Sequence, residues 1–340
     1  MMNLHRKKSH WLVGTLAVAF LACTLGDSAS VRAEDTKFKI GSSRDLQLGA
    51  RLGIAMHKGF FKEEGLDIQV AYFTSGAEMT SALAAGQLQL GSFGDFPTVN
   101  MIAGNLPVKI ITGVAEISGT QQLVVAEGVN QPEDLKGKKV ALTVGSSAES
   151  LFAATLNHFG VPLDSVEVLN MSAPEQVAAM ARGDVDGITV WQPYVLRAKT
   201  QAGGHAMISA LQSFIPGKEG PLDYYAAYSV LVVRTEWLDE NPNTMLKVLR
   251  AMKKAQDYIN ANKDDTAKTM EKDMRAPAKD LRVFLDENVY DMGIDAKFVR
   301  TLNKTVGFMH NVGKIKSKPS VESFIDDSYL KQVLPDRVSY

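Results

Sequence analysis

Apolar and polar positions alternate along residues 38–233 in a pattern that predicts strands and helices in turn. Short apolar runs at 38–41, 68–73, 88–90 and 108–114 have the length and bounding turns of buried strands. Helical patterns at 48–57 and 77–85 separate the first three runs. Strands that alternate with helices in this way are typical of a parallel sheet, so we expect an α/β fold.

The stretch Leu90-Gly-Ser-Phe-Gly-Asp-Phe-Pro-Thr98 predicts a tight connection between a strand and a helix. Gly91 and Gly94 allow a sharp turn, and Pro97 suits the first position of the helix. The free N–H groups of a helix N-terminus form a site for an anion. We therefore expect a ligand atom to bind where this connection turns.

A second stretch repeats the plan of the first. Residues 82–97 and 178–193 each contain a helix, a glycine stop, an alternating strand and a turn that carries a proline. Two lobes of similar plan produce such a repeat, and each would present helix N-termini at the carboxyl ends of its strands.

Beyond residue 235 the pattern is mainly helical, with apolar residues at the 3.6-residue period between 245 and 259. We expect this tail to pack on the first lobe, with 122–126 and 229–233 as the two hinge strands. The predicted organisation is a first lobe of 34–120 with 230–340 and a second lobe of 121–229.

The composition excludes several classes of function. The chain has 340 residues and a formal charge of −1, so no basic surface for nucleic acid is expected. The single cysteine, Cys23, lies near the N-terminus, and the six histidines are scattered without metal-ligand spacing. We expect no catalytic residue, no metal and no cofactor, and we interpret the chain as a binding protein and not an enzyme.

Residues 1–33 have the order of a secretory signal. Arg6, Lys7 and Lys8 precede an uncharged, mostly apolar run at 12–25, and cleavage is predicted after Ala33. Lipid anchoring at Cys23 is the alternative, because the residues before it form a loose lipobox. Cleavage after Ala33 removes four Lys or Arg residues and one Asp, which leaves a formal charge of −4.

Candidate binding residues occur where the predicted strands end and in the return strand. For most of them an ordinary structural role is the competing interpretation: serines also cap helices, a large aromatic residue is more often core, and most arginines are solvated. Asp95 either caps a helix or meets a cationic ligand group, and we favour the backbone N–H groups of its turn as the donors. The candidates are Ser42, Ser43, Arg44, Ser75, Gly76, Gly94, Asp95, Ser146, Ser147, Trp191, Gln192, Tyr228 and Ser229.

Seven motifs in one order resemble the substrate-binding proteins of ABC importers, in the nitrate/sulfonate/taurine-binding family. They cover nearly all of the chain after residue 33. The motifs are Thr74-Ser-Gly-Ala77, Ala82-Leu-Ala-Ala-Gly86, Gly91-Ser-Phe-Gly-Asp-Phe-Pro97, Pro132-Glu-Asp-Leu-Lys-Gly-Lys138, Arg182-Gly-Asp-Val-Asp-Gly187, Val190-Trp-Gln-Pro193 and Val232-Val-Arg234.

The resemblance implies a two-lobed periplasmic-binding-protein fold of type II, with two hinge strands and a helical tail on the first lobe. It also implies a periplasmic monomer that closes on one small anion and delivers it to a membrane permease and ATPase. An alkanesulfonate, a taurine-like compound or a sulfate ester is the expected ligand. Nitrate, an aromatic carboxylate and a thiamine precursor are the alternatives.

Three places depart from the taurine-binding pattern. Ser229 stands where those relatives carry an acid, Asp95 stands where they carry a small hydroxyl residue, and the turn Ser42-Ser43-Arg44 also differs. Thiamine-pyrimidine synthases share the expected fold, but the cysteine-rich motif that they need is absent here. An enzyme on the same scaffold is thus a less favoured alternative. A sensory ligand-binding module is a third, and the sequence after residue 33 contains no apolar run that predicts a transmembrane helix to carry its signal.

Overall fold

A computed structural model describes residues 33–74 and 76–340, and within them strands and α-helices alternate over most of residues 37–209. The strands are β1 (Lys37–Ser43), β2 (Asp67–Phe73), β3 (Leu90–Gly94), β4 (Val108–Glu116), β5 (Gln121–Val125), β6 (Lys139–Leu142), β7 (Glu167–Asn170), β8 (Gly187–Trp191), β9 (His205–Ser209), β10 (Gln212–Ser213), β11 (Gly220–Pro221), β12 (Tyr228–Arg234), β13 (Ile294–Asp295) and β14 (Val338–Ser339). The α-helices are α1 (Leu46–His57), α2 (Phe60–Glu63), α3 (Gly76–Ala84), α4 (Asp95–Ala103), α5 (Ser147–His158), α6 (Ala173–Arg182), α7 (Tyr194–Gln201), α8 (Thr235–Glu240), α9 (Pro242–Ala261), α10 (Lys263–Met274), α11 (Ala278–Asp286), α12 (Ala296–Asn311) and α13 (Ser328–Val333).

The first sheet has five strands in the order β2-β1-β3-β12-β4. Strands β1, β2 and β3 are parallel, whereas β12 is antiparallel to both β3 and β4. This pairing places the return strand β12 between β3 and the edge strand β4. Because the carboxyl ends of β1 and β3 meet at one edge, the helices α1 and α4 that follow them begin side by side.

The second sheet has seven strands in the order β11-β10-β9-β5-β8-β6-β7. Strands β6, β7 and β8 are parallel, and β5 is antiparallel to its neighbours β8 and β9. One buried apolar cluster surrounds the first sheet and includes the C-terminal helices, while two smaller clusters occupy the second half of the molecule. The α/β class, the two sheets and the helical tail on the first sheet are as predicted from the sequence.

The chain crosses between the two sheets just before each of the two predicted hinge strands. The segments 122–126 and 229–233 do not pair with each other, because β5 belongs to the second sheet and β12 to the first. The crossings are instead the short segments 117–120 and 222–227. They run side by side, since the N–H of Ile117 donates to the carbonyl oxygen of Ala227 at 2.9 Å.

The strand before the first predicted turn was also placed too early. It was predicted at 88–90, but β3 runs from Leu90 to Gly94, so both glycines belong to the strand. A Cβ on Gly91 would lie 3.0 Å from the carbonyl oxygen of Gly41 on β1, which explains why a residue without a side chain is needed there. The helix begins at Asp95, and Pro97 is its third residue and not its first.

The C-terminal part is helical from α8 to α13, apart from one short parallel pair between β13 and β14. Helices α9 and α10 pack on α1, and α12 packs on α4. No helix in the two described segments of the chain combines the length and the apolar character that crossing a membrane requires.

Candidate functional site

A cleft with a cavity volume of about 40 Å³ lies between the two sheets, beside the crossing at Ile117. Candidates from both halves of the chain line it. Ser43 and Gly94 end strands of the first sheet, and Gly76 begins helix α3. Trp191 ends a strand of the second sheet. The predicted residues that line the cleft are Ser43, Gly76, Gly94, Ser146, Ser147 and Trp191.

The N-termini of four helices converge on this cleft. Asp45, Gly94 and Ser146 are the N-cap residues of α1, α4 and α5, and Gly76 is the first residue of α3; all four line the cavity. Each helix N-terminus carries unsatisfied N–H groups and a partial positive charge. The convergence therefore creates a region that favours an anion without a basic side chain.

Asp45 forms the first-sheet side of the cleft and orders the start of α1. Its carboxylate accepts a hydrogen bond from the N–H of Leu48 at 2.9 Å and another from the hydroxyl of Ser43. Burial raises the pKa of Asp45 to about 6, and hydrogen bonds from Ser43, from the backbone and from the Trp191 indole partly offset this effect. Among the described residues that line the cleft, Asp45 is the only one with an ionisable side chain.

Asp95 lies beneath the cleft and joins elements of both halves. One carboxylate oxygen accepts from the N–H of Phe96 at 2.9 Å and from the hydroxyl of Ser147 at 2.5 Å. The other accepts from the hydroxyl of Thr305 at 3.3 Å. The side chain is fully buried, and this burial raises its pKa to about 6. Asp95 is the first residue of α4 and not its N-cap, and its carboxylate holds α5 and α12 against the start of this helix.

The serines at the start of α5 are engaged within the protein. The Ser146 hydroxyl donates to the carbonyl oxygen of Thr143 at 2.6 Å, and the Ser147 hydroxyl donates to Asp95. The hydroxyl of Tyr225, on the second crossing, donates to the carbonyl oxygen of Ser147 at 2.9 Å. Ser147 therefore contributes a contact between the lobes, and the N-terminus of α5 is fixed where it faces the cleft.

Ser42 and Arg44 do not line the cleft. The Ser42 side chain is buried and its hydroxyl donates to the carbonyl oxygen of Ser43 at 3.1 Å. Arg44 donates to the carbonyl oxygen of Asp273 at 2.6 Å and lies over the ring of Tyr72 at 5.3 Å. Alternation within β1 places Ser42 on the face opposite Ser43, and Arg44 lies beyond the end of this strand.

Gln192, Tyr228 and Ser229 also lie outside the cleft. Gln192 lines a neighbouring cavity of about 10 Å³ and donates to Glu287 at 3.4 Å. Tyr228 packs edge-on against Phe298 at 5.3 Å, and the fully buried Ser229 donates to the carbonyl oxygen of Ala115 at 3.4 Å. Ser75 lies outside the described residues.

Six further residues of the cleft were not among the candidates. Asp45 could have been found, because an acid directly before a helical run is a common N-cap. Gln47 has no such signal: its side-chain amide nitrogen is buried and has no hydrogen-bond partner in the described part of the chain, so it is a free donor at the cleft. The six residues are Asp45, Gln47, Leu48, Pro97, Ile117 and Gln121.

Comparisons with known proteins agree with this architecture. A sequence profile of the family described as "NMT1/THI5 like" matches residues 50–266. A binding protein of Brucella abortus (strain 2308) is 27% identical over 319 residues, which are 92% of this chain and 95% of the relative. The taurine-binding periplasmic protein of Escherichia coli (strain K12) is 30% identical over 205 residues, which are 60% of this chain and 61% of the relative.

The fold is shared with solved structures of two-lobed binding proteins. The alkanesulfonate-binding protein SsuA from Xanthomonas axonopodis pv. citri, bound to MOPS, superposes with a TM-score of 0.74 at 18% identity, covering 86% of this chain and 99% of the other. Enzymes occur among the similar proteins as well. The 4-amino-5-hydroxymethyl-2-methylpyrimidine phosphate synthase of Saccharomyces cerevisiae is 28% identical over 217 residues, or 62% of each chain.

Proposed function

The chain belongs to the NMT1/THI5-like family, and we propose that it is an extracytoplasmic solute-binding protein that delivers a small organic anion to an ABC importer. The observation that carries the proposal is the convergence of four helix N-termini on one cleft between two sheets. Such a cleft can bind and release a solute, and the described residues of its lining include no histidine, lysine or cysteine. We therefore propose a binding protein and not an enzyme.

For the ligand we propose an alkanesulfonate, a taurine-like compound or a sulfate ester. A sulfonate or sulfate oxygen accepts hydrogen bonds from several directions, which suits backbone N–H groups at helix N-termini and the free amide of Gln47. The names of the taurine- and alkanesulfonate-binding relatives support the same class. Nitrate, an aromatic carboxylate or a thiamine precursor are the alternatives within this proposal.

The mechanism that we propose is closure of two lobes around the ligand. Residues 34–120 with 230–340 form the first lobe, 121–229 form the second, and the crossings at 117–120 and 222–227 act as the hinge. A ligand between the lobes adds contacts that exist only in the closed form, so it shifts the equilibrium towards closure. The permease and ATPase then recognise the closed monomer.

The place of action that we propose is the periplasm. Residues 1–33 serve as the signal peptide and are removed after Ala33, or the chain is anchored by a lipid at Cys23. The periplasmic relative from Escherichia coli supports this location.

A thermal-shift screen tests the proposed function. We expect at least one sulfonate, sulfate ester, nitrate or carboxylate to raise the melting temperature, because a ligand that binds only the folded state stabilises it. If no compound of these classes changes the melting temperature, the proposed ligand class is wrong. If the purified protein converts a bound compound, the chain is an enzyme.

The variant Ser146→Ala combined with Ser147→Ala is expected to weaken the ligand-induced shift. The loss of the Ser147 hydroxyl removes its bond to Asp95 across the lobes, so the closed form becomes less stable and the apparent affinity falls about fivefold to tenfold. Thr200→Ala, which removes a hydroxyl on an exposed part of α7, is the control. An unchanged affinity in the double variant would remove these serines from the site.

A further inference from the structure

A second and larger cavity, of about 650 Å³, lies between α5 and α12. It is distinct from the cleft, because the hydrogen bonds that Asp95 accepts from Ser147 and Thr305 stand between the two: Ser147 lines the cleft and Thr305 lines the second cavity. We call this cavity the α5–α12 groove. Its volume falls in the range of small-molecule sites in proteins.

One wall of the groove is a fixed aromatic surface. The ring of His158 stacks on Tyr224 with 4.5 Å between ring centroids and an interplanar angle of 18°. The Tyr224 hydroxyl is hydrogen-bonded to Thr155 at 2.8 Å, which holds the ring in place. Phe308 of α12 supplies a second aromatic side chain to the lining. Flat apolar walls of this kind favour a planar ring.

Two polar side chains of the lining have no hydrogen-bond or ion-pair partner among the described residues. Ser150 is 3% exposed, and its hydroxyl has no hydrogen-bond partner among the residues that the structure describes. A buried hydroxyl without a partner is unfavourable, so its presence in the lining points to a ligand atom. Lys304 is exposed at the rim, and no ion pair or hydrogen bond ties it to any described residue.

Among the described residues, the lining of the groove contains basic but no acidic side chains. Its described lining contains Lys304 and His158 but no Asp or Glu. A basic group beside an apolar, acid-free cavity attracts an anion and disfavours a cation.

We propose that the α5–α12 groove binds a small aromatic anion, an arene that carries one carboxylate or sulfonate. The ring lies against Tyr224 and Phe308, the anionic group lies near Lys304, and a polar atom of the ligand reaches Ser150. Helix α5 packs on the second sheet, and α12 packs on α4 beside the first. The occupant therefore contacts both halves of the chain at a place that the cleft ligand does not reach.

The test uses the full chain and the fluorescent probe 8-anilinonaphthalene-1-sulfonate, an aromatic monoanion. We expect one molar equivalent to bind with enhanced fluorescence. Gly307→Trp fills the groove, because a Cβ at Gly307 has no neighbouring atom within 4 Å, and it should weaken the affinity at least tenfold. Gly307→Ala is the matched control, since it leaves the groove open and should retain the affinity.

Lys304→Gln provides a second test that does not disturb packing. It should weaken binding of the probe about threefold to fivefold and reduce the dependence of binding on salt. Lys318→Gln, an exposed lysine away from the groove, is its control and should change neither quantity.

The cleft variant Trp191→Ala separates this proposal from the proposed function. Retained probe binding in Trp191→Ala, together with its loss in Gly307→Trp, supports the groove. Unchanged probe binding in folded Gly307→Trp, or in Lys304→Gln at every salt concentration, would overturn the proposal. Loss of the probe in Trp191→Ala alone would place it in the cleft and would overturn the proposal too.

Discussion

Two buried carboxyl groups, Asp45 and Asp95, dominate the electrostatics around the cleft. Neither has a basic partner among the described residues; each is held by hydroxyl and N–H donors, Asp45 by Ser43 and Leu48 and Asp95 by Ser147 and Phe96. Burial raises the pKa of both to about 6. Burial likewise raises the pKa of the nearby Glu287 to about 7. An anion in the cleft would add to the cost of keeping Asp45 ionised.

The protein should therefore be more stable at pH 5 than at pH 8. A carboxyl whose pKa is raised on folding binds its proton more tightly in the folded state, so its contribution is present at low pH and is lost as the pH rises through about 6. Two pKa units correspond to a contribution of about 2–3 kcal/mol for a fully buried group. Melting temperatures measured between pH 4.5 and 8.5 check this expectation.

The variants Asp45→Asn and Asp95→Asn test whether these two carboxyl groups cause the pH dependence of stability. Asparagine keeps a side-chain oxygen that can accept the hydrogen bonds from Leu48 or Phe96, so the fold is retained while the titration is removed. In each variant the melting temperature should depend less on pH than in the wild type. Gly307→Ala, which changes no ionisable group, should keep the pH dependence of the wild type. A wild-type melting temperature that rises steadily from pH 5 to pH 8 would contradict the argument.

At the residue scale, the sequence located part of the cleft because side-chain direction follows the period of a strand. Ser43 and Trp191 end strands and face the cavity, whereas Ser42 and Ser229 occupy positions that point elsewhere. A shift of one position reverses the face, and a strand end predicted to within one or two residues cannot decide between neighbours. Gln47 could not be found, since its role depends on where α1 meets the other lobe.

At the element scale, the helices were easier to predict than the strand that precedes α4. The segment of β3 contains two glycines and a serine, so its local preference for a strand is weak. Pairing with β1 on one side and β12 on the other makes it a strand. Both partners are distant in sequence, and β12 is more than 130 residues away, so the pattern of residues 88–97 alone indicated a turn.

The crossing at 117–120 depends on a glycine in a way that can be tested. A Cβ on Gly119 would overlap the carbonyl oxygen of Glu287, which is backbone and cannot rotate away. Gly119→Ala is expected to destabilise the protein by about 1–3 kcal/mol, as overpacking does in a tight interior. Urea denaturation measures the change in the free energy of unfolding.

Gly307→Ala is the control for this substitution as well. It lies inside α12 with open space around the added methyl group, so it should be neutral or should stabilise the protein by up to about 1 kcal/mol. If Gly119→Ala unfolds at the same urea concentration as the wild type, the packing of the crossing against Glu287 is looser than described.

At the scale of the whole molecule, the repeated strand and helix pattern was sufficient to predict two α/β halves and a helical tail. The pattern did not predict the point where the chain passes between the two halves. The sequence of a strand is similar in either sheet, and only the strands that it pairs with decide to which sheet it belongs. Polar contacts between the halves include Ser147 to Asp95 at 2.5 Å, Lys314 to Glu149 at 2.7 Å, Arg197 to the carbonyl oxygen of Arg275 at 3.2 Å and Gln192 to Glu287 at 3.4 Å. The Trp191 indole also donates to Asp45. The proposed hinge motion requires these bonds to break when the lobes separate.

The pair Gly94 and Ser147 offers a direct test of that separation. A Cβ on Gly94 would lie 2.7 Å from the Ser147 hydroxyl oxygen, so the two Cβ atoms would be about 4 Å apart, within the range of a disulfide. The chain has no other cysteine once Cys23→Ala is introduced. Gly94→Cys with Ser147→Cys in that background should therefore form an intramolecular disulfide upon oxidation.

The oxidised double variant should be locked in the closed form. Its radius of gyration in small-angle X-ray scattering should equal that of the wild type saturated with a stabilising anion from the thermal screen. Addition of that anion should not change the radius of gyration of the oxidised variant. The anion should also exchange more slowly than it does in the wild type. Reduction should restore both responses, and each single cysteine variant should behave as the reduced protein does. A disulfide that forms readily and leaves ligand exchange and compactness unaltered would mean that Gly94 and Ser147 stay together throughout the binding cycle, and the hinge mechanism would then be wrong.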